Sequence, residues 1–352
     1  MRVLILAPFL GRTGAPIVLL RLVRALARRH AIDILRAESP EGPLADDFRE
    51  TGARIVAPAG LRRRYDVALA VTIAAARALL TVGARVPTVW WIHEAEMGRS
   101  WIQGLPSARH AFGAAVHLVF AATHQPAMYA PWLGDRPWTI VPYGLAIDRS
   151  PRPSPFPEPR GFRILQVGSV AWHKGQDLTL SALGRIPDPA LQAYFVGGDG
   201  PGRYRAAIDD GLRRSPALAV RTHFLGEHPP ESVPAFVQHA DILVMPSRDE
   251  VFPQAVIEAM GHGLPVIASG LRTIREVLTD GVNGLLVPSD DAAALALAIR
   301  RLHAAPHLRL QLSAEARRTV AARFDLDRHV AAMEAILAEA AGTERVGTGS
   351  AA

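Results

Sequence analysis

The chain has 352 residues, of which 49% are hydrophobic and none is cysteine. This length suffices for two domains with separate cores, and the lack of cysteine excludes disulfide bonds and thiolate metal sites. Residues 1–160 hold 20 arginines against 12 acidic residues, whereas residues 161–352 hold 19 basic against 21 acidic residues. The basic first half suggests an anionic partner, and an arginine-rich genome composition explains it equally well.

Apolar runs suited to β-strands alternate with helical patterns along the chain. The runs are 2–9, 31–37, 53–59, 66–72, 88–93, 117–123 and 138–144 in the first half, and 162–170, 191–198, 220–226, 241–247, 264–270 and 284–288 in the second. Continuous apolar strands separated by helices predict parallel sheets that are covered on both faces. No run approaches the about 20 apolar residues of a membrane span, and the first run is predicted to be a strand rather than a signal peptide. We therefore expect a cytoplasmic protein.

A proline-rich segment separates the two halves. Proline occupies every second position from 151 to 159, which excludes a helix or a central strand and predicts an extended connector. We predict an α/β protein of two doubly wound Rossmann-like domains that face a cleft. The predicted parts are a first domain at 1–148, a linker at 149–160, a second domain at 161–323, a helix crossing back to the first domain at 324–341 and a disordered tail at 342–352.

Two glutamates follow the apolar run at 241–247, in the region where parallel sheets bind ligands. Glu250 lies in the loop, and Glu258 lies in a helix predicted to begin at Pro253 and to end before Gly263. The amino end of this helix favours a phosphate group, and a carboxylate can accept two hydrogen bonds from the vicinal diol of a ribose. The alternative is a purely structural role, in which Glu250 caps the helix and forms an ion pair and Glu258 forms a salt bridge.

Glycine-containing loops follow three of the predicted strands. Gly168 and Ser169 precede Lys174, the single lysine of the chain, so this loop could present amides and an ammonium group to a diphosphate. Gly198 and Gly14 lie in the other two loops. Each glycine loop alone most often forms a tight turn. Together with the glutamate pair, the three loops predict a nucleotide-diphosphate cleft.

Several segments of the second half occur in a characteristic order. They are Gly168 with Lys174 and Gly175, "GGDGP" at 197–201, "FLG" at 224–226, "ADILVMPS" at 240–247, Glu250 and Glu258 with "EAM", "GLPVIAS" at 263–269, Glu276 and "DGVNGLLV" at 280–287. This series resembles the GT4-type retaining glycosyltransferases of GT-B fold. In the first half the resemblance is limited to the glycine turn, His93 and "VPYGLAID" at 141–148.

The resemblance implies transfer of a sugar from a nucleotide-diphosphate sugar to a hydroxyl acceptor with retention of anomeric configuration. The donor would be a UDP-sugar by family frequency, with no cofactor and no metal. Glu258 would bind the ribose, Glu250 the transferred sugar and Lys174 the leaving diphosphate. The backbone amides of Phe252 and Gln254 would also contact the diphosphate.

The first half departs from the family pattern, and so does one position of the second. The resemblance implies that Gly14 lets its loop approach the diphosphate and that His93 lines the sugar and acceptor side. Ser169 stands where the family usually has arginine, so one diphosphate contact is missing or comes from elsewhere, with Arg12 as a candidate. Tyr143 stands where asparagine is common. The acceptor stays open between a glycan, a lipid-linked molecule and a small natural product.

Other readings of the sequence stay open. Glu94 or Glu96, next to His93, could act as a general base in an inverting reaction. A nucleotide-sugar epimerase and a non-catalytic nucleotide-sugar-binding protein are alternatives, whereas the glutamate pair argues against nucleic-acid binding. A helix predicted at 16–30, opening at Pro16, would present Arg21, Arg24 and Arg28, and "LRRR" at 61–64 would add charge for peripheral contact with an anionic membrane.

Overall fold

The computed structural model describes residues 1–36, 42–58, 64–94, 96–156, 161–200, 202–250 and 252–342. The chain divides into two compact units, unit 1 with Met1–Gly144 and the segment that begins at Leu326, and unit 2 with Leu145–Asp325. Residues 61–63 of the predicted basic loop, 157–160 of the predicted linker, 343–352 of the predicted tail and the side chain of Glu96 lie outside the described part.

Unit 1 is built on a seven-stranded parallel sheet in the order β3-β2-β1-β4-β5-β6-β7. Its strands are β1 (Arg2–Ala7), β2 (Ala31–Arg36), β3 (Arg54–Val56), β4 (Val67–Val71), β5 (Thr88–Ile92), β6 (His117–Phe120) and β7 (Trp138–Ile140). Its helices are α1 (Gly14–Leu26), α2 (Ala45–Glu50), α3 (Ala76–Gly83), α4 (Glu96–Gly104), α5 (Pro106–Ala114), α6 (Gln125–Leu133) and α15 (Leu326–Gly342), which packs against α1, β4 and β5. Strands β4 and β5 are buried throughout, as expected where helices cover both faces of a sheet.

Unit 2 is built on a six-stranded parallel sheet in the order β10-β9-β8-β11-β12-β13. Its strands are β8 (Phe162–Val167), β9 (Leu191–Val196), β10 (Thr222–Gly226), β11 (Ile242–Met245), β12 (Val266–Ser269) and β13 (Leu285–Val287). Its helices are α7 (Gln176–Gly184), α8 (Tyr204–Arg213), α9 (Pro216–Ala219), α10 (Val233–His239), α11 (Gln254–His262), α12 (Arg272–Arg275), α13 (Ala292–Ala304) and α14 (Pro306–Arg323). The strand order reverses between β8 and β11, and the carboxyl ends of these two strands form the switch point where such sheets bind ligands.

Each of the thirteen apolar runs contains one of these strands, which confirms the predicted parallel α/β class. The described part of the proline-rich segment packs on unit 2. There, the Arg149 guanidinium donates to the Gly261 carbonyl at 3.0 Å, and the Phe156 ring lies 5.6 Å from that of Phe236.

Two helix boundaries differ from the prediction. Helix α1 begins at Gly14 rather than at Pro16, because the first intrahelical hydrogen bond runs from Ile17 to Thr13 and the proline therefore displaces no donor. Pro253 is the residue before α11 instead of its first residue.

The predicted arginine stripe on α1 is also wrong in part. Arg28 lies beyond the end of the helix at Leu26, and Arg21 is half-buried. Of the three arginines, Arg24 alone lies in the helix with an exposed side chain. Among the described residues, no helix has the length and apolar content needed to cross a membrane.

Candidate functional site

The turn that carries Lys174 lies directly beyond the carboxyl end of β8. Residues Trp172–Lys174 form a short 3₁₀ turn, and Gly175 follows with φ of 72°. A β-carbon on Gly175 would lie 2.2 Å from the carbonyl oxygen of Pro246, so glycine allows the turn to pack against the end of β11. Buried Gln166 donates from Nε2 to the Lys174 carbonyl at 2.8 Å. The backbone of the turn is therefore held in place by β8, through Gln166, and by the end of β11, through Pro246.

Lys174 and Glu250 form an ion pair at this switch point. The Lys174 Nζ donates to Glu250 Oε2 at 2.7 Å, and the two side chains are only 20% and 10% exposed. Two charges that are largely removed from water require such a partner, because desolvation of a single charge is expensive. From the sequence we expect each group to contact a ligand, and the contact between the two groups was not predicted.

Helix α11 begins next to the Glu250 loop and carries Glu258. The side chain of Glu258 is half-buried, one turn after Gln254 on the same face of the helix. The Gln254 amide donates to the Phe252 carbonyl at 2.9 Å, so in this structure it is engaged within the loop rather than directed outward. The Phe252 ring is buried and packs edge-on against Phe324, with 6.0 Å between centroids.

The glycine loops that follow β8 and β9 pack against each other through their backbones. A β-carbon on Gly197 would lie 2.1 Å from the Gly168 carbonyl oxygen, and the Val170 amide donates to the Gly198 carbonyl at 2.9 Å. Ser169 is exposed, so the position where an arginine was expected carries a neutral side chain. Unit 2 thus brings Gly168, Ser169, Lys174, Gly198, Glu250, Phe252, Gln254 and Glu258 to the carboxyl edge of one sheet or the start of α11.

The two candidates of the first half lie in unit 1. Gly14 is the exposed first residue of α1, and His93 is buried directly after β5. The Tyr143 hydroxyl lies 2.6 Å from His93 Nδ1, while His93 Nε2 is buried with no hydrogen-bond partner among the described residues. Burial, reinforced by the nearby ring of His329, lowers the pKa of His93 to about 3. His93 is therefore neutral at physiological pH.

Glu94 serves a backbone role in this structure. Its carboxylate accepts the Ile73 amide at 2.9 and 3.1 Å and the His93 amide at 3.2 Å. Burial raises the pKa of Glu94 to about 7, although these hydrogen bonds lower it in part. The Ile73 amide follows Thr72, whose φ of 70° is a strained conformation for a β-branched residue. A strained backbone at Thr72 and a carboxyl group with a raised pKa at Glu94 therefore lie next to each other, at the carboxyl ends of β4 and β5.

Two residues in these regions, Arg248 and His329, were not predicted from the sequence. Arg248 lies two positions before Glu250 and binds Asp177 and Asp290. Its place in the Glu250 loop was the available signal. His329 donates from Nδ1 to the Pro142 carbonyl at 2.9 Å, and its ring lies 5.5 Å from that of Trp91. No local pattern marked His329, because it reaches the β5 region from α15. Among the described residues, no three His, Asp or Glu side chains cluster as metal ligands.

The second unit matches a known family. The family model for glycosyl transferases group 1 covers residues 161–305. The D-inositol 3-phosphate glycosyltransferase of Geodermatophilus obscurus is 36% identical over 188 residues, which are 51% of this chain and 40% of that protein. The alpha-D-kanosaminyltransferase of Streptomyces kanamyceticus is 28% identical over 164 residues, which are 46% of this chain and 42% of that protein. The matches thus span about two fifths of these relatives' length.

Solved structures share the fold along nearly the whole chain. The HepE protein of Anabaena in complex with UDP-glucose superposes with a TM-score of 0.82 at 19% identity, covering 96% of this chain and 100% of that one. The sucrose-phosphate synthase of Thermosynechococcus elongatus gives 0.77 at 20% identity, covering 96% and 98%. These similarities confirm the predicted pair of Rossmann-like domains.

Proposed function

Because residues 161–305 match the family model for glycosyl transferases group 1, we propose that this chain transfers a sugar from a nucleotide-diphosphate sugar to a hydroxyl acceptor. The observation that carries the proposal is the contact of 2.7 Å between Lys174 and Glu250 at the switch point of unit 2. It supplies one cation for a diphosphate and one carboxylate for sugar hydroxyls within a single small region.

The chemistry follows from the charges that develop when the anomeric C–O bond breaks. The electron pair leaves with the diphosphate, and the anomeric carbon becomes positive. In the proposal, Lys174 neutralises the diphosphate oxygen, a contribution that is usually the largest in such reactions. The acceptor oxygen forms the new bond on the face that the diphosphate leaves, and its proton passes to that leaving group, which gives retention.

Donor binding would change the partners of both charged groups. The diphosphate competes with Glu250 for the ammonium group of Lys174, and the released carboxylate becomes free to accept sugar hydroxyls. Glu258, one turn into α11, would accept the ribose hydroxyls. We assign UDP as the nucleotide because the similar HepE protein was solved with UDP-glucose. The nucleotide-sugar is then a co-substrate, with Lys174 as the counter-charge.

The first test of the proposal is UDP release from UDP-sugars with and without a panel of hydroxyl acceptors. We expect release that depends on the acceptor, and Lys174→Ala should lower turnover by roughly 10²–10³, the loss expected for one preorganised charge. Arg163→Ala is the matched control, because Arg163 is a half-buried cation at the opposite end of β8. Sugar conversion without an acceptor would instead identify an epimerase, and binding without turnover would identify a nucleotide-sugar-binding protein.

A second test separates the two glutamates. Glu258→Gln should weaken UDP binding in calorimetry, because it removes an acceptor for the ribose. Glu250→Gln should retain or tighten UDP binding, because the carboxylate that competes with the diphosphate for Lys174 is gone, and it should lower kcat, because that carboxylate would face the transferred sugar. Equal losses of UDP affinity in both variants would contradict this division of roles.

A further inference from the structure

Arg248 contacts the residues that immediately precede Lys174. Its backbone amide donates to the His173 carbonyl at 2.8 Å, and its Nη1 donates to the Trp172 carbonyl at 2.7 Å. Its guanidinium also lies over the Trp172 ring, 4.8 Å from the centroid. Trp172 is 61% exposed, and a guanidinium over its ring face is a favourable cation–π contact. Three contacts from one residue therefore hold the turn on its amino side.

Arg248 also binds the residue that begins the next helix. Its Nη1 and Nη2 donate to the two carboxylate oxygens of Asp177 at 2.9 and 2.7 Å, a bidentate arrangement in the first turn of α7. Its Nε donates to Asp290 at 2.6 Å. Asp177 is fixed in turn by Tyr204, whose hydroxyl donates to it at 2.5 Å. The turn that carries Lys174 is thus held on both sides by the same side chain.

These contacts use geometry that only arginine provides. The Arg248 side chain is 10% exposed, and its planar fork reaches two carboxylates and a carbonyl at once. Burial raises the pKa of Asp177, but the hydrogen bonds from Arg248 and Tyr204 outweigh it and hold the pKa below its ordinary value. Lysine is a point charge and could not make the same set of bonds. The network is therefore charged, directional and specific to this residue.

We propose that Arg248 is the positioning residue that fixes Lys174 relative to Glu250. Arg248 is two residues from Glu250 in the same loop, and it binds residues on either side of Lys174 through Trp172, His173 and Asp177. Movement of one loop is therefore transmitted to the other, and the backbones that carry Lys174 and Glu250 keep their relative position when the donor displaces the contact between the side chains. The catalytic consequence rests on the proposed function, whereas the positioning itself does not.

The single lysine of the chain permits a direct test that needs no substrate. Lys174 is the sole side-chain amine, so its rate of modification by an amine-reactive acetylating reagent can be followed by mass spectrometry of one peptide. Arg248→Gln should raise this rate several-fold, because the turn no longer holds Nζ against Glu250. Arg163→Gln is the control, since this guanidinium also lies over an aromatic ring, 4.8 Å from the centroid of Phe156, but belongs to the end of β8 opposite the turn.

A second variant protects the test against misfolding. Asp177→Asn keeps the side-chain shape but removes the carboxylate that Arg248 binds with two hydrogen bonds. It should therefore also raise the labelling rate of Lys174. If Arg248→Gln unfolds, Asp177→Asn alone decides the outcome. An unchanged labelling rate in a folded variant would overturn the proposal.

Kinetics then test the catalytic consequence. With UDP-sugar and an acceptor, Arg248→Gln should lower kcat by about 10²-fold, the effect of a misplacement of about 1 Å, with a smaller change in donor KM. Faster labelling together with an unchanged kcat would overturn the positioning role in catalysis. Faster labelling in a protein whose wild type shows no transfer would leave the geometric proposal intact and refute the proposed function instead.

Discussion

Gly175→Ala is the substitution whose effect follows most directly from the structure. The new β-carbon would lie 2.2 Å from the Pro246 carbonyl oxygen and 3.1 Å from its carbon, in a residue with φ of 72°. The left-handed conformation alone costs an L-residue about 1–2 kcal/mol. Carbon and oxygen atoms pack near 3.5 Å, so the backbone must also move by roughly 1 Å. That movement displaces the adjacent Lys174, and we expect kcat/KM to fall by about 10²-fold.

Gly281→Ala is a matched control for this effect. Gly281 belongs to the same unit and has φ of 69°, but a β-carbon there would meet no atom within 4 Å. The Gly281→Ala variant should lose only about 1–2 kcal/mol of unfolding free energy, from the left-handed backbone conformation, and should keep the activity of the wild type. Urea unfolding and acceptor-dependent UDP release should be measured for both variants. Equal losses of stability and activity in the two variants would refute the steric reasoning at Gly175.

The remaining predictions concern protonation and labelling. Neither His93 nor His329 should titrate in NMR spectra between pH 7 and pH 5, because burial lowers their pKa values to about 3 and about 4; a midpoint near 6.5 would contradict this. When the pH falls from 7 to 5, these histidines therefore take up a proton in the unfolded chain but not in the folded one. Each of them lowers the free energy of unfolding by about 2 kcal/mol over this range. Glu94 acts in the opposite sense, since its pKa of about 7 makes the folded state bind a proton in that range, and Glu94→Gln should steepen the loss measured by urea unfolding. Glu250→Gln should accelerate acetylation of Lys174, and equal rates would show that the ion pair does not form in solution.

The strands were predictable because parallel sheets bury both faces, which leaves runs such as 66–72 without a polar alternation. Helix boundaries were less so. Pro16 suggested the start of α1, but a proline is equally tolerated anywhere among the first residues, whose amides have no intrahelical acceptor. Local sequence also marked Lys174 and Glu250 as separate candidates. Their contact joins positions 76 residues apart and depends on the neighbouring positions of β8 and β11, which no local pattern specifies.

The ion pair between Lys174 and Glu250 has a consequence for the end of a reaction cycle. Glu250 is tethered beside the ammonium group and acts as an anion at high effective concentration, since its contact of 2.7 Å forms without any loss of translational freedom. In the proposed reaction, the same carboxylate would compete with the departing diphosphate for Lys174 after transfer. Such a site would limit its own product inhibition, because every nucleoside diphosphate that stays bound must outcompete a partner that never diffuses away.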